Sequence, residues 1–232
     1  MEYKDLSGCS INESISIYNC DCMDLLKQTP DNYYSLAIVD PPYGMVGNVF
    51  QMKSKNLLKD GQTSARLDDK NSSIEFNLKE PPGKEYFDEL FRVSKNQIIF
   101  GMQYFTPFLP KTQCVIVWDK VNGGSYFSDA EIAWTSFKSA VRIAKIHNPS
   151  GNRIHPTQKP VKLYEWILSR YAEPNQKILD THLGSGSIAI AIDNVNKIEK
   201  MNLTLTACEL DTDYFKAAIK RIEQQTAQQT IF

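Results

Sequence analysis

Three acidic residues each stand where a short apolar run ends: Asp40 after SLAIV, Asp180 after QKIL and Glu209 after LTLTAC. Asp40 opens the stretch Asp40-Pro41-Pro42-Tyr43-Gly44. Each proline fixes φ and removes a backbone donor, so the turn is stiff and presents acceptors. These are the Asp40 carboxylate and the Pro41 carbonyl. Together they can hold both hydrogens of an exocyclic NH₂ group while the Tyr43 ring stacks on the attached heterocycle. A Pro-Pro pair can also simply end a strand. The acid before it and the ring after it argue instead for a grip on an aromatic amine.

Asp180 is followed by T-H-L-G-S-G-S and an apolar helical pattern. Gly184 and Gly186 let the backbone pass close to a ligand, and a helix start offers N–H groups. Gly184-x-Gly186-x-x-Ala189 fits the relaxed dinucleotide fingerprint, with Glu209 ending the next strand. A tight strand-to-helix turn without a ligand explains these glycines equally well. The position of Asp180 is more selective. A carboxylate there opposes a pyrophosphate and suits a cationic amine, while Glu209 can accept from two ribose hydroxyls. An amine and a ribose without a phosphate describe S-adenosylmethionine better than NAD.

The elements that must position these groups follow from periodicity. Strands are expected at 14–20, 35–40, 96–101, 113–120, 131–137, 176–180 and 203–210. Helices are expected at 21–28, 84–94, 159–172 (with Pro160 in its first turn), 187–195 and 211–225. Strands alternating with helices predict βαβ units and a mostly parallel sheet. Such sheets bind ligands beyond the carboxyl ends of their strands, where all three acids would gather. The 232 residues suit one domain, with a polar, weakly periodic insertion at 45–83. A stretch of that length inside a compact domain points to a mobile loop with a role in binding or catalysis. The Gln/Thr tail after 225 is expected to fray.

Net charge is −1 and excludes little, but its distribution is uneven. No Asp or Glu occurs from Ile132 to Tyr164, a window that holds Lys138, Arg142, Lys145, Arg153, Lys159 and Lys162 with His147 and His155. A second acid-free window, Pro41 to Lys59, holds Lys53, Lys55 and Lys59. Basic surface of this kind can meet phosphates, although a solvated face explains the shorter window. The cysteines Cys9, Cys20, Cys22, Cys114 and Cys208 are scattered and odd in number, so free thiols in a reducing compartment are expected. No zinc spacing, bilayer-spanning run or signal-peptide pattern is present in the sequence, so a cytoplasmic protein without metal is expected.

Together the motifs resemble those of the β-class DNA amino-methyltransferases. D-P-P-Y-G resembles the catalytic motif, and H-P-T-Q-K-P (His155 to Pro160) resembles the motif preceding the cofactor strand. I-L-D-T-H-L-G-S-G-S resembles the cofactor loop, and A-C-E-L-D-T-D-Y-F the ribose-binding strand end. V-W-D-K with Asn122-Gly123-Gly124 also looks familial. The likeness covers most of the chain outside 45–83 and 138–152. It implies an α/β, Rossmann-like S-adenosylmethionine-dependent methyltransferase fold. That fold is circularly permuted, with a mostly parallel seven-stranded sheet and one antiparallel strand at 131–137.

The resemblance makes Asp40, Pro41, Pro42 and Tyr43 catalytic. It places the cofactor against Asp21, Cys22, Asp40, Thr157, Lys159, Asp180, His182, Gly184, Ser185, Gly186, Glu209 and Leu210. Asp21 would hold the adenine amino group, Glu209 the ribose, and Asp180, Thr157 and Lys159 the methionine end. His182 departs from the family's usual aromatic; it either packs against the cofactor or is merely a turn residue. DNA contacts are expected from Lys53, Lys55, Lys138, Arg142, Lys145 and Arg153, with 137–154 as a small target-recognition segment. The implied partners are double-stranded DNA and, in a family that often dimerises, a second copy of the chain.

An initial Asp favours adenine N6 over cytosine N4 as the target, in a flipped-out base of a restriction–modification type enzyme. The cytosine-N4 reading shares every motif. An NAD-dependent oxidoreductase would leave D-P-P-Y unused, and a non-catalytic DNA-binding module would leave the cofactor loop unused. Tyr43→Phe is expected to be tolerated and Tyr43→Ala not, because the ring rather than the hydroxyl stacks.

Overall fold

The computed structural model describes residues 3–44, 80–122, 128–148, 153–155 and 157–227. The expected insertion lies almost wholly outside these residues, together with Lys53 and Lys55. Gly123, Gly124, residues 149–152 of the expected recognition segment and the end of the tail also lie outside. The chain divides into two compact units, Met1–Pro41 with Pro82–Phe232, and Pro42–Pro81. Within the second unit Gly44 has φ +67 and Pro81 lies against it.

The first unit is one sheet with helices on both faces. Its elements in chain order are β1 (Gly8–Asn12), β2 (Ile15–Tyr18), α1 (Cys22–Gln28), β3 (Tyr34–Val39), α2 (Lys84–Val93), β4 (Ser94–Phe100), β5 (Val115–Asp119), β6 (Ala130–Thr135), β7 (Arg142–Lys145), α3 (Val161–Tyr171), β8 (Lys177–Asp180), α4 (Ser187–Ile198), β9 (Thr204–Cys208) and α5 (Thr212–Thr226). The sheet order is β1-β2-β9-β8-β3-β4-β6-β5-β7. β2, β9, β8, β3 and β4 run parallel, and β6 runs against both β4 and β5.

The expected seven strands form the middle of this sheet, with the antiparallel strand where it was expected. Nine strands are present rather than seven. β1 pairs antiparallel with β2 at one edge, and β7 pairs parallel with β5 at the other. Neither GCSIN nor RIAK is an apolar run, because an edge strand buries little. Each forms by hydrogen bonding to a strand already in place. β7 lies within the expected 137–154 recognition segment.

Period-2 alternation splits the core. Leu36 and Ile38 join a cluster with Leu163, Ile167, Ile188, Ile192, Ala218 and Ile222 from α3, α4 and α5. Ala37 and Val39 show the other face, where α1 and α2 bury Leu25, Leu26, Phe87 and Leu90. α4 reads SIAIAIDNV because it lies between the sheet and its helical neighbours, and it is buried nearly all round. α1 and α5 begin where Asp21 and Asp211 cap them. Asp21 Oδ1 accepts from Met23 N at 2.8 Å, and Asp211 Oδ1 accepts from Asp213 N and Tyr214 N. Pro160 is the residue before α3 rather than part of its first turn.

Candidate active site

The strands β9, β8 and β3 are adjacent and parallel. Asp180 is the last residue of β8, while Glu209 and Asp40 each follow the last residue of β9 and β3. All three carboxylates therefore stand at one carboxyl edge of the sheet. Asp180 is buried, and its Oδ1 accepts from the His182 N–H at 3.0 Å. Burial pushes its carboxyl up to about 7, and the Asp40 and Glu209 charges push the same way. A buried acid held this high has too little positive charge around it, so a cationic ligand group would stabilise its ionised form.

The loop after β8 is shaped by two left-handed glycines, Gly184 at φ +55 and Gly186 at φ +74. A Cβ on Gly186 would stand 2.7 Å from Ile222 Cδ1, so α5 packs directly on the turn. Ser185 faces inward: its hydroxyl lies 3.1 Å from that of Ser187, and Arg221 donates to its carbonyl at 2.6 Å. The Gly184 N–H donates to Glu209 Oε2 at 2.9 Å, and the Asp211 N–H donates to Glu209 Oε1 at 2.9 Å. A dinucleotide fold would offer such a glycine N–H to a pyrophosphate. Here a carboxylate already takes it, and a phosphate would have to displace that like charge. This argues against NAD and fits a ligand that brings hydroxyls and an amine.

The remaining expected ligand residues are distributed unevenly. Asp21 uses one carboxylate oxygen as a helix cap, and burial, reinforced by Asp21, pushes the neighbouring Cys22 thiol up to about 12. Leu210 is an exposed apolar side chain next to Glu209. Thr157 is exposed, and its hydroxyl lies 3.1 Å from His155 Nδ1. The His155 ring lies over Gly184 and meets Tyr214 edge-on with centroids 4.4 Å apart. His182 Nδ1 lies 2.9 Å from the Thr181 hydroxyl, which also bonds Tyr86 Oη at 2.6 Å. The His182 ring meets Tyr86 edge-on. Pro41 is buried, whereas Pro42 and Tyr43 belong to the second unit.

Lys159, expected at the methionine end, accepts through its carbonyl from the Ser187 hydroxyl beside the glycine turn. Its ammonium is ion-paired with Asp40 Oδ2, and it lies 3.1 Å from Glu131 Oε2 and 4.6 Å from the centre of the Phe100 ring. Glu131 Oε1 in turn pairs with Lys120 at 2.9 Å. Glu131 is the member of this charge row that sequence reasoning missed, whereas Lys120 ends the V-W-D-K motif. The available signal was an acid inside the otherwise apolar strand AEIAWT.

Among the expected DNA contacts, Lys138, Arg142, Lys145 and Arg153 are all exposed. Strand alternation puts Arg142 on the face of buried Ala144, and Lys145 on the opposite face with Ile143. Among the described residues no group of His, Cys, Asp or Glu is arranged for a metal ion, and no helix is long and apolar enough to cross a membrane.

The sequence matches the N6/N4 amino-methyltransferase family model described as DNA methylase over residues 53–220, most of the chain. The chain belongs to the DNA methylase family. Within this family, the Type II methyltransferase M.BglII from Bacillus subtilis is 23% identical over 78% of this chain. The match takes in 63% of that relative, so the chain spans less than two thirds of its length. Two solved structures share the fold, each with a TM-score of 0.56. One is an M1.HpyAVI–SAM complex, 20% identical, covering 89% of this chain and 99% of its own. The other is the cytosine-N4-specific PvuII DNA methyltransferase, 16% identical, covering 93% of both chains.

Proposed function

We propose that this DNA methylase transfers the methyl group of S-adenosylmethionine to the exocyclic amino nitrogen of a base in DNA, with adenine N6 as the target. The observation that carries this reading is the alignment of Glu209, Asp180 and Asp40 at the ends of three adjacent parallel strands. One acid suits ribose hydroxyls, the next a cationic amine, and the third an aromatic amine. S-adenosylmethionine, when bound, supplies an electrophilic sulfonium methyl. Asp180, Glu209 and the Gly184–Gly186 turn would hold it, with Asp21 and Leu210 flanking the same edge.

The chain's own contribution is positioning. An adenine N6 lone pair is delocalised into the ring and is a poor nucleophile. Hydrogen bonds from the amine to the Asp40 carboxylate and the Pro41 carbonyl favour a pyramidal nitrogen with its lone pair available. Lys159 is ion-paired with the Asp40 carboxylate. Orientation of this kind can supply roughly 7–11 kcal/mol of barrier lowering. The target base must leave the duplex, at a cost of a few kcal/mol. An acidic edge suits that step, because it accepts a neutral base bearing an amine and repels phosphates. The Asp that opens Asp-Pro-Pro-Tyr supports adenine over cytosine.

The test is nucleoside analysis by mass spectrometry of unmethylated genomic DNA incubated with the full chain and S-adenosylmethionine. N6-methyladenine is the expected product. N4-methylcytosine would overturn the choice of base, and the absence of any methylated nucleoside would overturn the activity. Asp40→Ala should abolish transfer while leaving S-adenosylmethionine affinity, measured by calorimetry, close to that of the native chain.

A further inference from the structure

Tyr164 is the fourth residue of α3 and is only 7% exposed. The start of this helix is tied to the site at two points. The Ser187 hydroxyl donates to the Lys159 carbonyl at 2.7 Å, and the Lys159 ammonium is ion-paired with Asp40. Strand alternation puts Asp180 on the same face of β8 as Ile178, the face on which Leu163, Tyr164 and Ile167 of α3 pack. The Tyr164 ring meets that of Phe100, at the end of β4, edge-on with centroids 6.5 Å apart. That packing accounts for the ring but not for the hydroxyl, which has no hydrogen-bond partner among the described residues. A buried tyrosine hydroxyl usually finds a partner, and one without calls for an explanation. Burial raises its pKa well above the usual value, and the charges of Asp180, Asp40 and Glu131 push the same way. The group therefore stays protonated and neutral, with one donor and two acceptor lone pairs.

We propose that Tyr164 is a further cofactor-binding residue, whose hydroxyl oxygen accepts from the methionyl ammonium of S-adenosylmethionine beside Asp180. The proposal rests on the reading of Asp180 as the partner of that cationic amine. A primary ammonium has three N–H donors to place, as a lysine does. Asp180 already uses Oδ1 for the His182 N–H, so a second acceptor nearby helps to complete the set. A further carboxylate would add to the repulsion among Asp180, Asp40 and Glu209, whereas a hydroxyl adds an acceptor without a charge. The methionyl carboxylate is the poorer match, because it would bring a negative charge up to Asp180 and Asp40.

The experiment is calorimetric titration of the full chain with three ligands. These are S-adenosylmethionine, decarboxylated S-adenosylmethionine, which lacks only the carboxylate, and 5′-methylthioadenosine, which lacks the whole amino-acid end. Tyr164→Phe is expected to weaken the first two by the same factor, about tenfold or more, the scale of a hydrogen bond to a charged group. Its affinity for 5′-methylthioadenosine should stay native. Native affinity for all three ligands would overturn the proposal. Equal loss for all three would show a purely structural residue and would also overturn it. Loss for S-adenosylmethionine but not for its decarboxylated form would give the hydroxyl to the carboxylate and overturn the assignment to the ammonium. If Tyr164→Phe does not fold, Tyr164→Met keeps an apolar body without the hydroxyl and is judged by the same three ligands. Asp180→Asn separates the two readings. If that variant binds S-adenosylmethionine with native affinity, the role of Asp180 falls and the proposal with it. If it loses affinity while the Tyr164 variant is native, only the role of Tyr164 falls.

Discussion

Asp180 pits function against stability within one side chain. Its carboxyl, pushed up to about 7 in the folded chain, holds its proton more tightly there than in the unfolded chain, where the value is about 4. Stability is therefore lost as pH rises from about 4 to about 7, the range in which the folded form must give up a proton that the unfolded form has already released. Asp180→Asn should melt higher than the native chain at about pH 8, and the difference should shrink towards about pH 4. Thermal melts at the two pH values check this, and an equal difference at both would contradict it. The same variant should lose S-adenosylmethionine affinity. In the native chain that affinity should weaken as pH falls below about 7, because a cationic ligand group needs the ionised acid.

At the scale of elements, the turn between β8 and α4 and the start of α5 act as one piece. Gly186 is left-handed and touches Ile222 of α5, and Arg221 of the same helix holds the Ser185 carbonyl. Gly186→Ala should cost more than the roughly 1–2 kcal/mol of a left-handed non-glycine residue, since its Cβ would also collide with Ile222. Chemical denaturation measures the loss. Asp211→Ala removes the cap of α5 and should cost about 1 kcal/mol. It keeps the backbone N–H that holds Glu209, so cofactor affinity should change little. A large loss of affinity would mean that the Asp211 side chain itself serves the site.

Across the whole sheet, charge is divided. The acids lie at the ends of its central strands, while the exposed basic residues of β7 occupy the edge strand beyond β5. Such a division can hold phosphates to one side while a base enters the acidic edge. Arg142 and Lys145 point to opposite faces of that edge strand, so a duplex lying against one face of the sheet meets one of them. Only one of Arg142→Ala and Lys145→Ala should reduce the salt dependence of DNA binding, by about one unit in log–log slope. Titrations of each variant at several salt concentrations check this, and equal effects would contradict the placement.

What the sequence alone determined is local. Short apolar runs marked the middle strands, 3.6-residue stripes marked the helices, and Asp40, Asp180 and Glu209 could be assigned to strand ends because a strand end shows in the few residues around it. The glycine turn was legible for the same reason, since a left-handed residue imposes its own composition. The tertiary structure decided what depends on distant partners. β1 and β7 became strands only because β2 and β5 offered unpaired edges. Glu131 reached the carboxyl edge only because β6 runs antiparallel and returns its first residues to the edge where β3, β8 and β9 end. A lone acid in an apolar strand carries no mark of the lysine it will meet 28 residues along the chain (Glu131 to Lys159). Pairing and burial of charge are properties of the packed sheet, and no local pattern of residues encodes them.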